Sequence, residues 1–423
     1  MGQSVDTVIS VPEVARAVRD FYDRYPYPPP VDDLEDYRGR WDEPRRRTDF
    51  HLFWPWRAYS EEQSILVAGC GTSQAARHAM RWPKAQITGI DCSATSVKCT
   101  EQLKRKYELK NLEVHQLPVE QVAQLKMSFD QIVCTGVLHH LADPVVGLTA
   151  LASVLKPEGA MQLMVYAPYG RIGIYLLQEF CRRVGIQATV DNILDLNRAL
   201  GALPPGHPLQ TLMSQAQSQD FLSEAALADS LLHPRDRAYS VPQLFEFLAN
   251  GGVTFGRWLR QAPYSVHCGV VAKIPQAAEI ERLPKAEQYA AIELFRGTMA
   301  RHSVIVYRND REACHRQADL AAASWMEYVP IRMPDTICVC DRLPVAAAAV
   351  LINRSHIYRD LFLPVSPKEK TWLEAIDGVR SIGDILERTP SLRTNDLEAA
   401  RRFFNRLWWY DQVVFDTSRQ AAA

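Results

Sequence analysis

The strongest pattern in the chain is a set of short apolar runs, each closed by a turn and followed by a longer stretch with helical spacing. Ile65 to Ala68 run into Gly69-Cys70-Gly71-Thr72-Ser73 and an alanine-rich segment, and AQITGID (85–91) ends on Asp91. EVHQLPVEQV (113–122), FDQIVCTGVLHHLADP (129–144) and LKPEGAMQLMVYAP (155–168) carry the next three runs. Short buried strands alternating with helical segments predict strand and helix units on a parallel sheet, an α/β fold, and residues 62–168 hold five such units.

The first turn raises a chemical question. A buried strand that must bend sharply into a helix near Ser73 uses glycines where the backbone angles, or the approach of a ligand, would exclude a side chain. Asp91 lies 20 residues beyond Gly71, where doubly wound nucleotide folds place a carboxylate on ribose hydroxyls. The loop Gly69-Cys70-Gly71-Thr72-Ser73-Gln74 has no third glycine, so it serves a dinucleotide poorly and no pyrophosphate site is evident. A glycine turn with no ligand remains the alternative for this segment taken alone.

The fourth run breaks at Gly136 and the pair His139 and His140, and LKPEGAMQLMVY supplies a helix end and a fifth strand. With AGCGT as the glycine loop and GID closing the second strand, this order resembles the class I S-adenosylmethionine-dependent methyltransferases. VAGCGT, GVLHHLADP and the YPYP box near the N-terminus resemble a bacterial subgroup of that family, some of whose relatives carry tetratricopeptide repeats; the chain itself shows no repeat of that kind. The resemblance implies a Rossmann-like sheet of seven strands with helices on both faces, and S-adenosyl-L-methionine as cofactor. It also implies a cofactor site made by Gly69, Cys70, Gly71, Thr72, Asp91, Cys92, Glu120 and Gly136. Three positions depart from the family pattern. Val67 stands where an acidic residue commonly ends the first strand and orders the cofactor's amino group. Ser73 replaces the third glycine. Pro118 replaces the Asp that meets the adenine amino group, leaving Glu120 as the nearest candidate.

A family core needs one more helix and a final antiparallel strand pair, expected at SVPQLFEFLANGG (240–252), VTFGRWLR (253–260) and HCGVVAKI (267–274). Residues 169–239 then form an insertion. IYLLQEFCRRVGI, NILDLNRALGALP and DFLSEAALADSLL give it a helical pattern, with PPGHP and HPRDR as breakers. After the fifth strand it lies at the carboxyl edge of the sheet, where such folds bind ligands, and reads as a substrate cap.

Residues 1–61 read as an arm or lid: a helix, VPEVARAVRDFYDRY, then the proline-rich YPYPPPVDDLEDYR. Tyr22, Tyr25, Tyr27, Trp41, Phe53, Trp54 and Trp56 give it more aromatic surface than a disordered leader has, and these rings are expected over the cofactor mouth. The methyltransferase domain with its cap is expected over 62–275, and a connecting helix and strands over 276–360, the helix being KAEQYAAIELFRGTMARHS. A winged-helix-like α+β module, three helices and a wing-like strand, is expected over 361–423. Its segment 377–406 sets Arg380, Arg388, Arg393, Arg401, Arg402 and Arg406 against Asp377, Asp384, Glu387, Asp396 and Glu398. That near balance favours a protein contact or a homodimer over nucleic-acid reading.

Composition narrows the class. At 423 residues the chain is long enough for two or three domains, and 47% hydrophobic with 23% charged residues is ordinary for a globular protein. Lys and Arg total 48 against 49 Asp and Glu, so nothing advertises nucleic acid or an anionic membrane as partner. Nine cysteines at 70, 92, 99, 134, 181, 268, 314, 338 and 340 form no repeated CxxC pair and suit a reducing compartment. Cys338 and Cys340 would share one face of a strand as two buried thiols, and no metal site is nominated. MGQSVDT has no signal-peptide architecture and no apolar run approaches the roughly 20 residues of a membrane span, so a cytoplasmic protein is expected.

Methyl transfer from a sulfonium disperses charge, so alignment does most of the work, and a hydroxyl, thiol or amine acceptor needs a base near neutral pKa. His139 and His140, on the loop that faces the methyl group in the family, are the candidate bases, with loop packing as their alternative role; Tyr27 from the arm joins them. Tyr166, Tyr169, Arg171, His233, Arg237 and Tyr239 are the groups expected around the acceptor, with packing or a turn that fixes the cap as the alternative. The leading function is methylation of a small molecule under the cap. The alternatives are methylation of a protein or RNA docked through the C-terminal module, and a non-catalytic partner-binding protein that keeps the cofactor fold.

Overall fold

The computed structural model describes residues 10–215, 223–310, 317–388 and 394–419, and the chain divides into two units. The first comprises the N-terminal residues through Gly39, Glu62–Phe255 and Arg296–Asn309; the second comprises Arg40–Glu61, Gly256–Phe295 and Asp310 onward.

In the first unit the apolar runs become strands because their residues are buried on both faces: Ile65, Leu66, Val67 and Ala68 have no exposure. The strands are β1 (Ser64–Ala68), β2 (Gln86–Asp91), β3 (Leu112–Gln116), β4 (Phe129–Thr135), β5 (Leu155–Tyr166), β6 (Val253–Trp258) and β7 (Arg301–Arg308). They lie in the order β3-β2-β1-β4-β5-β7-β6. β1 pairs in parallel with β2, from Ser64↔Gln86 to Ala68↔Ile90, and on its other side with β4 from Ile65↔Gln131. Strand order therefore reverses between β1 and β4, which sets the glycine bend and the loop after β4 at a topological switch point.

The last strand differs from expectation. Residues 267–274 form turns, with a short 3-10 helix at Val271–Lys273, and Arg301–Arg308 supplies β7, antiparallel to β5 from Met161↔Val306 to Tyr166↔Arg301. Gly269 adopts φ +62°, which breaks a strand, while the helix expected to run through 303 stops at Arg296 before Gly297 at φ +63°. The following residues bury His302, Val304, Ile305 and Val306 as a strand.

The insertion is helical, as expected: Ile172–Val184, Val190–Gly201, Pro208–Gln215 and Glu224–Leu232. Ile174, Leu177, Ile193, Leu196, Leu227 and Leu231 form its core, joined by Phe21 and Tyr25 of the arm helix Val11–Arg24. Arm and cap thus share one apolar cluster.

The second unit holds the antiparallel sheet of β9 (Thr336–Val339), β10 (Ala349–Asn353) and β11 (Phe362–Val365), and the pair β8 (Val329–Arg332) with β12 (Val413–Asp416). Helices Pro367–Glu374, Ile382–Glu387 and Thr394–Trp409 precede β12, and Trp372, Phe403, Phe404 and Leu407 anchor their core. Cys338 and Cys340 are exposed rather than buried, their Sγ atoms 4.0 Å apart, because this face of the edge strand β9 faces solvent. No helix among the described residues is long and apolar enough to cross a membrane.

His51, on the helix Glu43–Phe53, has no exposure and its Nε2 lies 3.6 Å from Asp416. Burial outweighs the carboxylate's attraction and lowers its pKa from 6.5 to about 4. The folded state therefore holds His51 neutral while the unfolded chain protonates it, so this contribution is complete above pH 6.5 and is lost as pH falls toward 4. At about 1.4 kcal/mol per pH unit the loss is on the order of 3 kcal/mol. Urea denaturation between pH 7 and 4.5 is expected to show His51→Gln losing clearly less stability than the parent chain; equal losses would remove His51 as the cause.

Candidate active site

The bend after β1 is fixed by two left-handed glycines. A Cβ at Gly69 (φ +68°) would stand 2.2 Å from Val137 Cγ2, and one at Gly71 (φ +54°) 3.1 Å from both Pro28 Cδ and the Tyr27 carbonyl. Asp91, at the tip of β2, points into this bend. Its Oδ2 accepts the Gly71 N–H at 2.8 Å and its Oδ1 accepts the Ser93 N–H at 2.9 Å. The carboxylate is only 9% exposed; burial raises its pKa, while the two N–H donors pull it down. Each oxygen keeps a second lone pair, so the group can still accept from a pair of vicinal hydroxyls. Gln74 Nε2 donates to Thr135 Oγ1 at 2.8 Å and ties the loop to the end of β4.

The arm lies on this bend. Thr72 donates to the Pro28 carbonyl at 2.8 Å, and Asp23 accepts from Ser93 Oγ at 2.8 Å and from the Thr95 N–H at 3.2 Å. The Tyr25 hydroxyl donates to the Ala188 carbonyl of the cap at 3.0 Å. Of the expected cofactor residues, Cys70 and Thr72 are buried in the loop, Gly136 (φ +78°) donates to the Met164 carbonyl at 3.1 Å, and Cys92 is half-buried with burial raising its thiol to about 12. Glu120 is half-buried in the short 3-10 helix Val119–Leu125 beyond Pro118. Val67 is fully buried within β1 and offers only backbone.

Beyond the end of β4 stands a buried polar cluster. His139 and His140 occupy a 3-10 turn, their ring centroids 4.2 Å apart; His139 lies 4.2 Å from the Tyr166 ring and His140 3.9 Å from His233. Arg171 sits 3.5 Å over Tyr166 and donates to Asp236 Oδ2 at 3.3 Å, with Gln178 Nε2 donating to the same oxygen at 3.0 Å. Tyr22 of the arm donates to Asp229 of the cap at 3.0 Å. Both ring nitrogens of His139, Nε2 of His233 and Oδ1 of Asp236 have no hydrogen-bond partner among the described residues. Burial lowers the pKa of all three histidines, His139 and His233 the furthest, and raises that of Tyr22 well above its ordinary value. The cluster thus presents neutral imidazoles at neutral pH.

The structure therefore brings His139, His140, Tyr166, Arg171 and His233 together. Tyr27 is instead at the glycine bend, and Tyr169 is half-buried in the 3-10 turn Tyr169–Arg171. Arg237 is exposed, and the Tyr239 ring packs 5.0 Å from Phe247, its backbone N–H donating to the Tyr166 carbonyl at 2.9 Å. Sequence reasoning missed Asp23, Gln178 and Asp229 as members of the site. Asp229 gave one signal, a lone acid within AALADSLL (225–232).

Residues 66–163 match the family described as a methyltransferase domain. An uncharacterized protein of Synechococcus is 34% identical over 251 residues, covering 57% of this chain and 59% of the relative. A ubiquinone biosynthesis O-methyltransferase of Albidiferax ferrireducens is 33% identical over 98 residues, covering 23% of this chain and 38% of that protein. The chain thus spans less than two thirds of the length of either. Among solved structures, PKMT2 from Rickettsia typhi in complex with AdoHcy superposes over 93% of this chain and 78% of that one, with TM-score 0.64 and 15% identity, a likeness of fold. Residues 66–163 thus resemble a methyltransferase domain, and the fold around them is the Rossmann-like one of the class I methyltransferases.

Arg171 and Asp236 have side chains 2% and 3% exposed, so removing one partner leaves the other charge buried. Arg171→Met is expected to destabilise the fold by roughly 3 kcal/mol, and adding Asp236→Leu to recover part of that. Urea denaturation of the two single variants and the double variant measures the coupling; strictly additive losses would show that the pair does not interact.

Proposed function

We propose that the chain is an S-adenosylmethionine-dependent methyltransferase that acts on a small molecule with an oxygen, nitrogen or sulfur nucleophile. The observation that carries this reading is that the glycine bend with Asp91 and the histidine cluster stand at neighbouring strand ends of one sheet, with the helical cap contributing to the cluster. Gly69, Gly71 and Asp91 would hold the nucleoside, Asp91 by accepting from its ribose hydroxyls, and Glu120 is the nearest acceptor for the adenine amino group. When bound, S-adenosyl-L-methionine supplies a methyl group made electrophilic by the sulfonium. His139 and His140 meet the nucleophilic atom of the acceptor, and Tyr166 and Arg171 wall its site. Tyr27 and Pro28 cover Gly71 directly, so admission of the nucleoside requires this part of the arm to lift.

A second reading, a protein acceptor, is favoured by an exposed apolar stripe on the cap: Ile172, Leu176, Phe180 and Val184 are 44–61% exposed at four-residue spacing on one helix.

Calorimetry is expected to show saturable binding of S-adenosylmethionine, weakened at least about tenfold by Asp91→Ala, the loss of about 1.4 kcal/mol. His139→Ala should lower turnover about 100-fold while leaving cofactor affinity within about twofold. No binding by the parent chain would refute the cofactor assignment, and unchanged turnover in both the His139→Ala and His140→Ala variants would refute the cluster's role. Transfer of label from the cofactor to small molecules of a cell extract, rather than to its proteins, separates the two acceptors.

A further inference from the structure

We propose that His139, His140 and Asp236 bind one divalent first-row transition ion, with zinc as the reference metal. Their ligand atoms all lie within 4.8 Å of one another, and an overlapping trio, His140, Asp229 and His233, meets the same distance condition. Hydrogen bonds decide between the two. The Arg235 carbonyl can only accept, so His140 Nδ1, 2.7 Å away, carries the proton and Nε2 keeps its lone pair for a metal. His233 is the opposite case: its Nδ1 accepts the Arg235 N–H at 3.0 Å, which puts the ring proton on Nε2 and removes that nitrogen from ligation. The Asp229 oxygen Oδ1 accepts from Tyr22.

The first trio has what the second lacks. His139 is fully buried, and neither of its ring nitrogens has a partner among the described residues, an arrangement that costs free energy unless a ligand meets it. Asp236 Oδ1 is likewise buried and unpartnered, while Oδ2 is held by Arg171 and Gln178, which fixes the direction of the open oxygen. A backbone carbonyl behind one imidazole and a guanidinium and amide behind the carboxylate are the outer supports that metal ligands ordinarily have. Ligand bonds of about 2.0–2.2 Å at tetrahedral angles set ligand atoms about 3.3–3.6 Å apart, so the most distant pair must close by up to about 1.5 Å, the scale of a side-chain adjustment. Two imidazoles and one carboxylate suit zinc, iron(II), cobalt or manganese, and three protein ligands leave a position for an exogenous oxygen. The ion's use there, acidifying an acceptor hydroxyl so that its proton passes to water, rests on the methyltransferase reading; its binding does not.

The test uses the full chain, stripped with chelator and titrated calorimetrically with Zn²⁺ alone, with S-adenosylmethionine titrated into the same preparations. We expect saturation at about one ion per chain, and a loss of affinity of about 10- to 100-fold in His139→Ala, His140→Ala and the isosteric Asp236→Asn. His233→Gln should retain affinity within about twofold, since its Nε2 is no ligand. Cobalt-loaded chain should show visible d–d bands that His140→Ala abolishes. Absence of saturable Zn²⁺ binding in a chain that binds S-adenosylmethionine would overturn the proposal, as would a loss in His233→Gln equal to that in His140→Ala. Zn²⁺ binding without cofactor binding would uphold the metal site and remove the methyltransferase reading instead.

Discussion

One carboxylate organises the bend at the head of this sheet. Asp91 takes an N–H from the bend after β1 and another from Ser93, which caps the helix Ala94–Lys106 by accepting the Ser96 N–H at 3.1 Å. Hydrogen bonds to a charged acceptor contribute about 1.5–3 kcal/mol each. Two of them outweigh little more than the cost of keeping the carboxylate out of water, so the gain is geometric. The end of β2, the glycine loop and a helix start are locked to one side chain, and Asp23 extends the lock to the arm through Ser93 and Thr95.

The histidine cluster is built by the opposite route. Its members come from the loop after β4, from the end of β5, from two cap helices, from the cap's last turn and from the arm. No single element could bury three imidazoles, two carboxylates and a guanidinium, and His140, Asp229 and Arg171 are each held by a partner from another segment. Such a site exists only when arm and cap are docked, and Phe21 and Tyr25 in the cap's core supply that docking. The glycine bend and the histidine cluster are thereby both touched by the same short arm.

Legibility in the sequence followed the range of the interactions. The glycine bend, Asp91, the first five strands and the helical insertion were readable because period, glycine and a terminal acid are local signals. β7 was not: the helix Lys285–Arg296 precedes it without a proline, and only Gly297 marks the change, so a strand that owes its place to pairing with β5 read as helix. His139, His140, Tyr166, Arg171 and His233, named from the sequence, do lie together in space, whereas Asp229, Gln178 and Asp23 were not named, since their places come from cap and arm packing. Arg237 and Tyr239, four and six residues beyond His233, were drawn in by proximity in sequence, and the turn after Asp236 sends one to solvent and the other against Phe247.

Hydrogen–deuterium exchange with and without S-adenosylmethionine reads the glycine bend and Asp91 themselves. Slower exchange, by at least about tenfold, is expected in peptides covering 65–76 and 88–96 and in the arm around 21–27 at saturating cofactor. Unchanged exchange in all three segments, with protection elsewhere or nowhere, would contradict cofactor binding at this bend.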